Sequence, residues 1–117
     1  MSTTADKTEA ITPIELTIGE VETVTLDFSN VLYGDTLTAK DSHEWVDDDD
    51  GGITLSGWQV NGSAINPDGR KAIAASKALQ VTVNTTAATA GTYTLKALAT
   101  TTNSRTKGVK AVIVVRE

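Results

Sequence analysis

Asp47-Asp48-Asp49-Asp50-Gly51-Gly52, four consecutive carboxylates and two glycines, is the densest group of chemistry-bearing residues in the chain. Hard oxygen ligands on a turn-forming segment are what calcium takes. Counted from Asp47, the sixth position is Gly52, as an EF-hand loop requires, but the twelfth is Trp58 where that loop needs a bidentate Glu. The simpler reading is a solvated loop whose like charges hold it open, with calcium binding as the alternative. Asp41-Ser42-His43 assembles the residue types of a hydrolytic triad. Neighbours in an extended chain point to opposite faces, however, so these three cannot form the relay by themselves, and His43 is expected on an exposed loop. Asn61-Gly62-Ser63 and Asn84-Thr85-Thr86 match the glycosylation sequon. The polar opening MSTTADKTEA lacks the apolar centre of a secretory signal, which predicts a protein made in the cytosol that never meets that machinery.

Two indoles, Trp45 and Trp58, flank the acidic run and could serve as a platform for a sugar ring. One buried Trp removes about 200 Å² from water, so each is equally a core candidate. Trp58 is expected in or at the edge of the core. Trp45, among charges, is the candidate contact residue, together with Asp48 of the acidic run. Charge is divided along the chain: residues 1–50 hold 13 acids and 2 bases, whereas residues 51–117 hold 2 acids and 8 bases. Lys96, Arg105, Lys107, Lys110 and Arg116 fall on what reads as the last hairpin. Arg105 and Lys107 are candidate contacts there, and Glu15, Glu20 and Glu22 are the internal partners expected if the first strand pairs with the last. A net charge of −5 argues against nucleic acid and anionic membrane surfaces as partners.

The elements that must hold these residues are strands. Thr occurs 20 times, Val 11 and Ile 7 in 117 residues, and β-branched side chains favour half-buried pleated backbone. No cysteine is present, which removes disulfides, thiolate catalysis and cysteine-based zinc sites together. No cofactor or metal is expected.

Residues 1–12 form a polar arm without periodicity, and residues 13–117 one domain. Alternation then predicts strands at Ile14 to Ile18, Val24 to Phe28, and Asp35 to Lys40 with Leu37 and Ala39 inward. Asp41 to Gly52 is predicted as exposed loop, and Ile53 to Val60 as strand. Asn61-Gly62 predicts a type I′ hairpin, which needs positive φ at both central residues. A return over Ser63 to Ile65, a turn at Asn66-Pro67-Asp68-Gly69, and a weak strand from Arg70 to Ala75 follow, with a helical turn within Ala72 to Leu79 as the alternative. Leu79, Val81 and Val83, then Tyr93 to Ala99, then Val109 to Val115 alternate clearly. Seven or eight short strands with a turn every 8 to 15 residues predict an all-β Greek-key β-sandwich.

Ala90-Gly91-Thr92-Tyr93-Thr94-Leu95 resembles the start of strand F in immunoglobulin-like domains, where a Tyr closes a corner by bonding upstream backbone two residues before the second core Cys. Tyr93 takes that place and Leu95 the Cys position. The Cys pair is absent, and neither Trp falls where the strand C tryptophan belongs. From Pro13 to Val115 the layout is similar to small immunoglobulin-like accessory proteins of tailed bacteriophage virions. The features that carry this are the polar arm, the opening Pro13 to Glu22, the Leu26-Asp27-Phe28-Ser29 run, the Ala/Gly/Thr-rich turn before Tyr93, and the Val-rich last strand.

The resemblance implies a non-enzymatic structural protein, a capsid decoration or cement protein on the outside of the phage head. Its partner would be the major capsid protein or another virion protein, in multiple copies on a symmetric shell. It would be made in the host cytoplasm and reside in the virion. Residues Thr8, Ile11 and Thr12 of the arm are candidate partner contacts. The alternative is a carbohydrate-binding or adhesive immunoglobulin-like module of a phage tail or cell surface.

Overall fold

Alternating β-branched residues need a second apolar surface to cover the face they expose, and two sheets supply it to each other. The computed structural model describes residues 13–66 and 72–117. Expectations for the arm with Thr8, Ile11 and Thr12, and for Pro67-Asp68-Gly69 and Arg70, lie outside those residues. The described elements are β1 (Ile14–Thr17), β2 (Val21–Asp27), one helical turn α1 (Ser29–Leu32), β3 (Leu37–Trp45), a 3₁₀ turn at Val46–Asp48, β4 (Thr54–Val60), β5 (Ala78–Asn84), β6 (Gly91–Thr101) and β7 (Thr106–Arg116). They build a four-stranded sheet in the order β1-β7-β6-β3 facing a three-stranded sheet in the order β2-β5-β4. β1 runs parallel to β7, and every other pairing is antiparallel.

The core follows the period of two. Leu79, Val81 and Val83 of β5 face Tyr93, Leu95, Ala97 and Ala99 of β6 and Val109, Ala111, Ile113 and Val115 of β7, all buried. Val24, Leu26, Phe28 and Leu32 close the β2 side. Each fully buried aliphatic or aromatic side chain contributes about 1.5–3 kcal/mol by leaving water. These are the strands that the alternation predicts.

Four local expectations are corrected. β3 does not stop at Lys40 but continues through Asp41, Ser42, His43 and Glu44 to Trp45, so the first half of the acidic segment is strand. Register shifts between Leu37 and Ala39 and between Lys40 and Ser42 insert extra residues, which turns Ala39 outward while Leu37 stays buried. Bulges change the inward phase, and simple alternation cannot foresee them.

Asn61-Gly62 is not a type I′ hairpin, because neither residue has positive φ. β4 reaches its partner β5 through the excursion between Val60 and Ala78, inside which Ile65 and Ile73 form an isolated antiparallel bridge. No helical turn forms within Ala72 to Leu79; β5 begins at Ala78. Asn61 is 2% exposed. Its Nδ2 donates to the carbonyls of Ser63 (3.1 Å) and Ala74 (2.9 Å), and its Oδ1 accepts from the amides of Lys77 (3.1 Å) and Ala78 (2.9 Å). One side-chain amide thus holds both ends of the excursion.

Tyr93 closes the corner before β6. Its hydroxyl donates to the Thr89 carbonyl at 2.7 Å, and its ring lies against Gly51, where an added methyl would fall inside the ring. Thr89 N donates to Gly51 O at 2.8 Å, so the end of the acidic run is tied to the same corner. Thr85, fully buried, accepts from Gly19 N and lies 2.8 Å from Glu20 O and 3.1 Å from Thr17 O. It thereby anchors the β1–β2 turn.

These bonds rank a set of substitutions by denaturant unfolding. Tyr93→Phe should lose one hydrogen bond and about 1 kcal/mol, and an unchanged midpoint would remove the corner. Gly51→Ala, with φ of +58° and the ring in its way, should cost more than Tyr93→Phe. Asn61→Ala, which strips the backbone groups of Ser63, Ala74, Lys77 and the buried Ala78 of their side-chain partner, should cost about 3 kcal/mol.

Candidate contact surfaces

β3 and β4 are the last strands of their sheets and lie side by side at one edge of the sandwich. Trp45 pairs with Leu95 and His43 with Ala97, both partners buried, which puts the two side chains on the same side of β3, Trp45 half-buried and His43 exposed at the rim. With no strand beyond, these side chains meet β4. Trp58 arrives there through a bulge between Ser56 and Gln59 that Gly57 makes possible with φ of +66°. The His43 and Trp58 rings stack with centroids 5.2 Å apart and planes 28° apart. The Lys40 ammonium sits 5.0 Å from the Trp58 ring centre, in range of a cation–π attraction.

Both Trp45 and Trp58 are half-buried against the core. Trp58 was the one expected at the core edge and Trp45 the one expected on the surface; the side chains that cluster at the β3–β4 edge are Trp58, His43 and Lys40. His43, expected exposed on a loop, is exposed but stands on β3. Partial desolvation, and then the Lys40 charge, push its proton affinity below the ordinary histidine value. Because the folded state disfavours the charged ring, the stability this group contributes is present above the ordinary value of 6.5 and is lost as pH falls below it.

A second group lies at one pole. The loop after α1 meets the β6–β7 turn through Thr102 N to Thr36 O (2.9 Å) and a Thr36–Thr102 hydroxyl pair at 2.6 Å. Tyr33 projects from this loop, 82% exposed, with left-handed φ of 50°, a conformation that bulky side chains adopt rarely. The Lys107 ammonium stands 5.6 Å from its ring centre, and the exposed Arg105 is on the adjoining turn. Under the same loop Asp35 is buried, 5% exposed. Its Oδ1 accepts from Thr36 N at 2.8 Å, while Oδ2 has no partner in bonding geometry. The neighbouring Thr101 hydroxyl outweighs the burial, and with the Thr36 and Asn103 groups it holds the carboxyl below its ordinary value.

The acidic run lies at the other pole, about 30 Å away along β6 at roughly 3.3 Å per residue. Asp49 Oδ1 accepts from Gly51 N and Asp50 Oδ1 from Gly52 N, each at 2.9 Å. Asp48 is exposed, and both it and Asp47 are left-handed. Among the described residues, no three His, Asp or Glu side chains converge as a metal site would need.

The candidate residues therefore separate. Arg105 and Lys107 share one pole, while Trp45 and Asp48 lie toward the other. As expected, the first strand pairs with the last: β1 and β7 bring Glu15 Oε1 to 3.2 Å from Arg116 Nε. That pair is exposed and contributes about 0–1 kcal/mol. Of the other two acids expected there, Glu20 turns its carboxylate to Thr17 N at 2.6 Å and Glu22 stands on β2 of the other sheet. Sequence reasoning missed Tyr33, although Tyr-Gly after an apolar run is a turn signal. It also missed the partnership of Lys40 and His43 with Trp58, which depends on two bulges.

The cluster makes a prediction readable by NMR titration. The His43 ring should titrate below the ordinary histidine midpoint, Lys40→Met should move it part of the way back, and Trp58→Ala should move it further by opening the ring to water. A wild-type midpoint at or above 6.5, the ordinary value, would contradict the packing. In comparison with known proteins, no family model matches the sequence, and neither a curated protein nor a solved structure is significantly similar to the chain.

Proposed function

We propose that the chain is an immunoglobulin-like Greek-key module and acts as a non-enzymatic structural protein of a tailed-phage particle, as a decoration or cement protein on the outside of the head. The observation that carries the fold half of this reading is the Tyr93 hydroxyl on the Thr89 carbonyl at 2.7 Å, at the start of a strand flanked by β7 and β3. That is the place of the tyrosine corner in immunoglobulin-like sandwiches. The functional half rests on the resemblance of layout and on the distribution of surface chemistry. The conspicuous side chains sit at the two poles and one lateral edge, on a scaffold of paired strands suited to presenting them rigidly.

Attachment is assigned to residues 1–12, with Thr8, Ile11 and Thr12 as contacts to the major capsid protein or another virion protein. A second, weaker contact joins neighbouring copies: the acidic pole with Asp48 against the basic pole with Arg105 and Lys107. Opposite poles of one chain make such contacts head to tail, and multiple copies on a shell make each weak contact sufficient. A carbohydrate-binding or adhesive role is the second reading, favoured by Trp58 with Lys40 and His43 at the open edge.

The test is to locate the protein. Antibodies raised against residues 13–117 should label intact particles from the source culture on their outer surface. Protein lacking residues 1–12 should keep its melting midpoint yet fail to co-sediment with shells, and wild-type occupancy should fall as salt rises. Particles free of the protein would refute the virion reading, and saturable quenching of tryptophan fluorescence by a glycan would favour the second. Full shell occupancy by the truncated protein would remove the arm from attachment.

A further inference from the structure

The sandwich has four edges, and three of them are guarded. β1 offers only four residues. β3 carries two register shifts and an inward lysine, Lys40, whose ammonium is held over the Trp58 ring. β4 is bulged at Gly57 and Trp58. Bulges, inward charges and short length are the means by which edges avoid pairing with other chains. β2 is the long, unbulged edge: its seven residues pair with β5 without a register shift, and its one charge in the inward phase, Glu22, stands at the exposed start of the strand. Among the described residues no strand pairs with its other side.

The free side can be assigned residue by residue. Phe28 N donates to Lys77 O, and Thr85 N donates to Glu20 O; 28 stands opposite 77 and 20 opposite 85 in the β2–β5 register. In an antiparallel ladder bonded pairs alternate with unbonded ones, so the even residues of β2 bond to β5. Val21, Thr23, Thr25 and Asp27 therefore direct their amides and carbonyls outward. Val21, 51% exposed, is the large aliphatic side chain left exposed among the described residues. The outer face beside it is uncharged from β5 to β4, with Gln80, Thr82 and Asn84 next to Ser56.

We propose that the β2 edge pairs with the β2 edge of a second copy, antiparallel about Val24, joining two three-stranded sheets into one of six strands. The edge is self-complementary in that register. Thr23 of one copy meets Thr25 of the other, and Val21 meets Asp27, each position having its backbone groups directed outward. Glu22 faces Leu26, so no two carboxylates are opposed, and Thr–Thr pairs are favourable cross-strand neighbours. Shifting the pairing until Glu22 meets Glu22 would set like charges together and shorten the ladder. The contact is isologous and closes as a two-fold dimer. It uses the lateral edge and leaves both poles free, and it does not rest on the virion reading.

Sedimentation of the full chain across a wide concentration range tests this, in high salt so that contacts between oppositely charged poles are suppressed. The weight-average mass should rise toward two copies, and amide exchange at Val21, Thr23, Thr25 and Asp27 should slow as it does. Thr23→Pro removes one outward amide and leaves the β5 bonds intact; it should weaken self-association at least tenfold. Thr23→Lys is the second variant, for the case in which proline unfolds the strand, and should weaken it similarly at unchanged melting midpoint. A protein that stays monomeric throughout, or dimers indifferent to both variants, would overturn the proposal. So would dimers that vanish, or appear only, when residues 1–12 are removed, because the arm would then be the strand on that edge. Neither result bears on whether antibodies find the protein on particles.

Discussion

The placement of Tyr93 is the constraint on which the two-sheet arrangement turns. Its hydroxyl fixes the backbone of the turn before β6, and its ring occupies the space that a side chain at residue 51 would need. The acidic run can pass from β3 in one sheet to β4 in the other only because Gly51 lets it cross against that ring. The bond from Thr89 N to Gly51 O then ties the crossing to the corner. A glycine, a tyrosine and two backbone groups thus set where the chain changes sheets. Asp49 and Asp50 serve that crossing as well, each accepting from the amide of the glycine two residues on.

The interior imposes a second constraint. Ala78, Ala97 and Ala99 are fully buried, and Phe28 is the one phenylalanine. Small side chains on facing strands bring backbones close and leave little slack, so the core distinguishes volumes finely. Precision of that kind suits a module that presents surface groups at fixed spacing. It also explains why the bulky aromatic residues, apart from Tyr93 and Phe28, are placed at edges and loops: Trp45 and Trp58 at the β3–β4 edge, Tyr33 at a pole.

How much of this was legible in the sequence depended on regularity. β5, β6 and β7 could be read directly, since Leu79 to Val83, Tyr93 to Ala99 and Val109 to Val115 alternate without interruption. β3 could be read only as far as its first bulge: beyond Leu37 each inserted residue reverses which side chains are inward, and an acidic composition then reads as loop. Asn61 was misleading for a different reason. Asn-Gly signals a turn because Asn adopts positive φ at little cost, but its side-chain amide can also bracket a long excursion, and composition does not distinguish the two. The Trp58 cluster needs strands that are far apart in sequence and become neighbours only across sheets, and no local pattern announces that. Tyr93 was legible because the corner is a short-range motif.

The parallel pairing of β1 with β7 carries a mechanical consequence. Ile14 to Thr17 run beside Ile113 to Arg116 in the same direction, and Ile18 N adds a bond to Arg116 O at 2.8 Å. A pull applied at the start of β1 and at the end of β7 draws the two strands past each other along their common axis. All the bonds between them are then loaded at once in shear, whereas an antiparallel terminal hairpin would open one bond at a time. Under tension along the chain this geometry makes the first rupture a collective event, which is the property a load-bearing link requires.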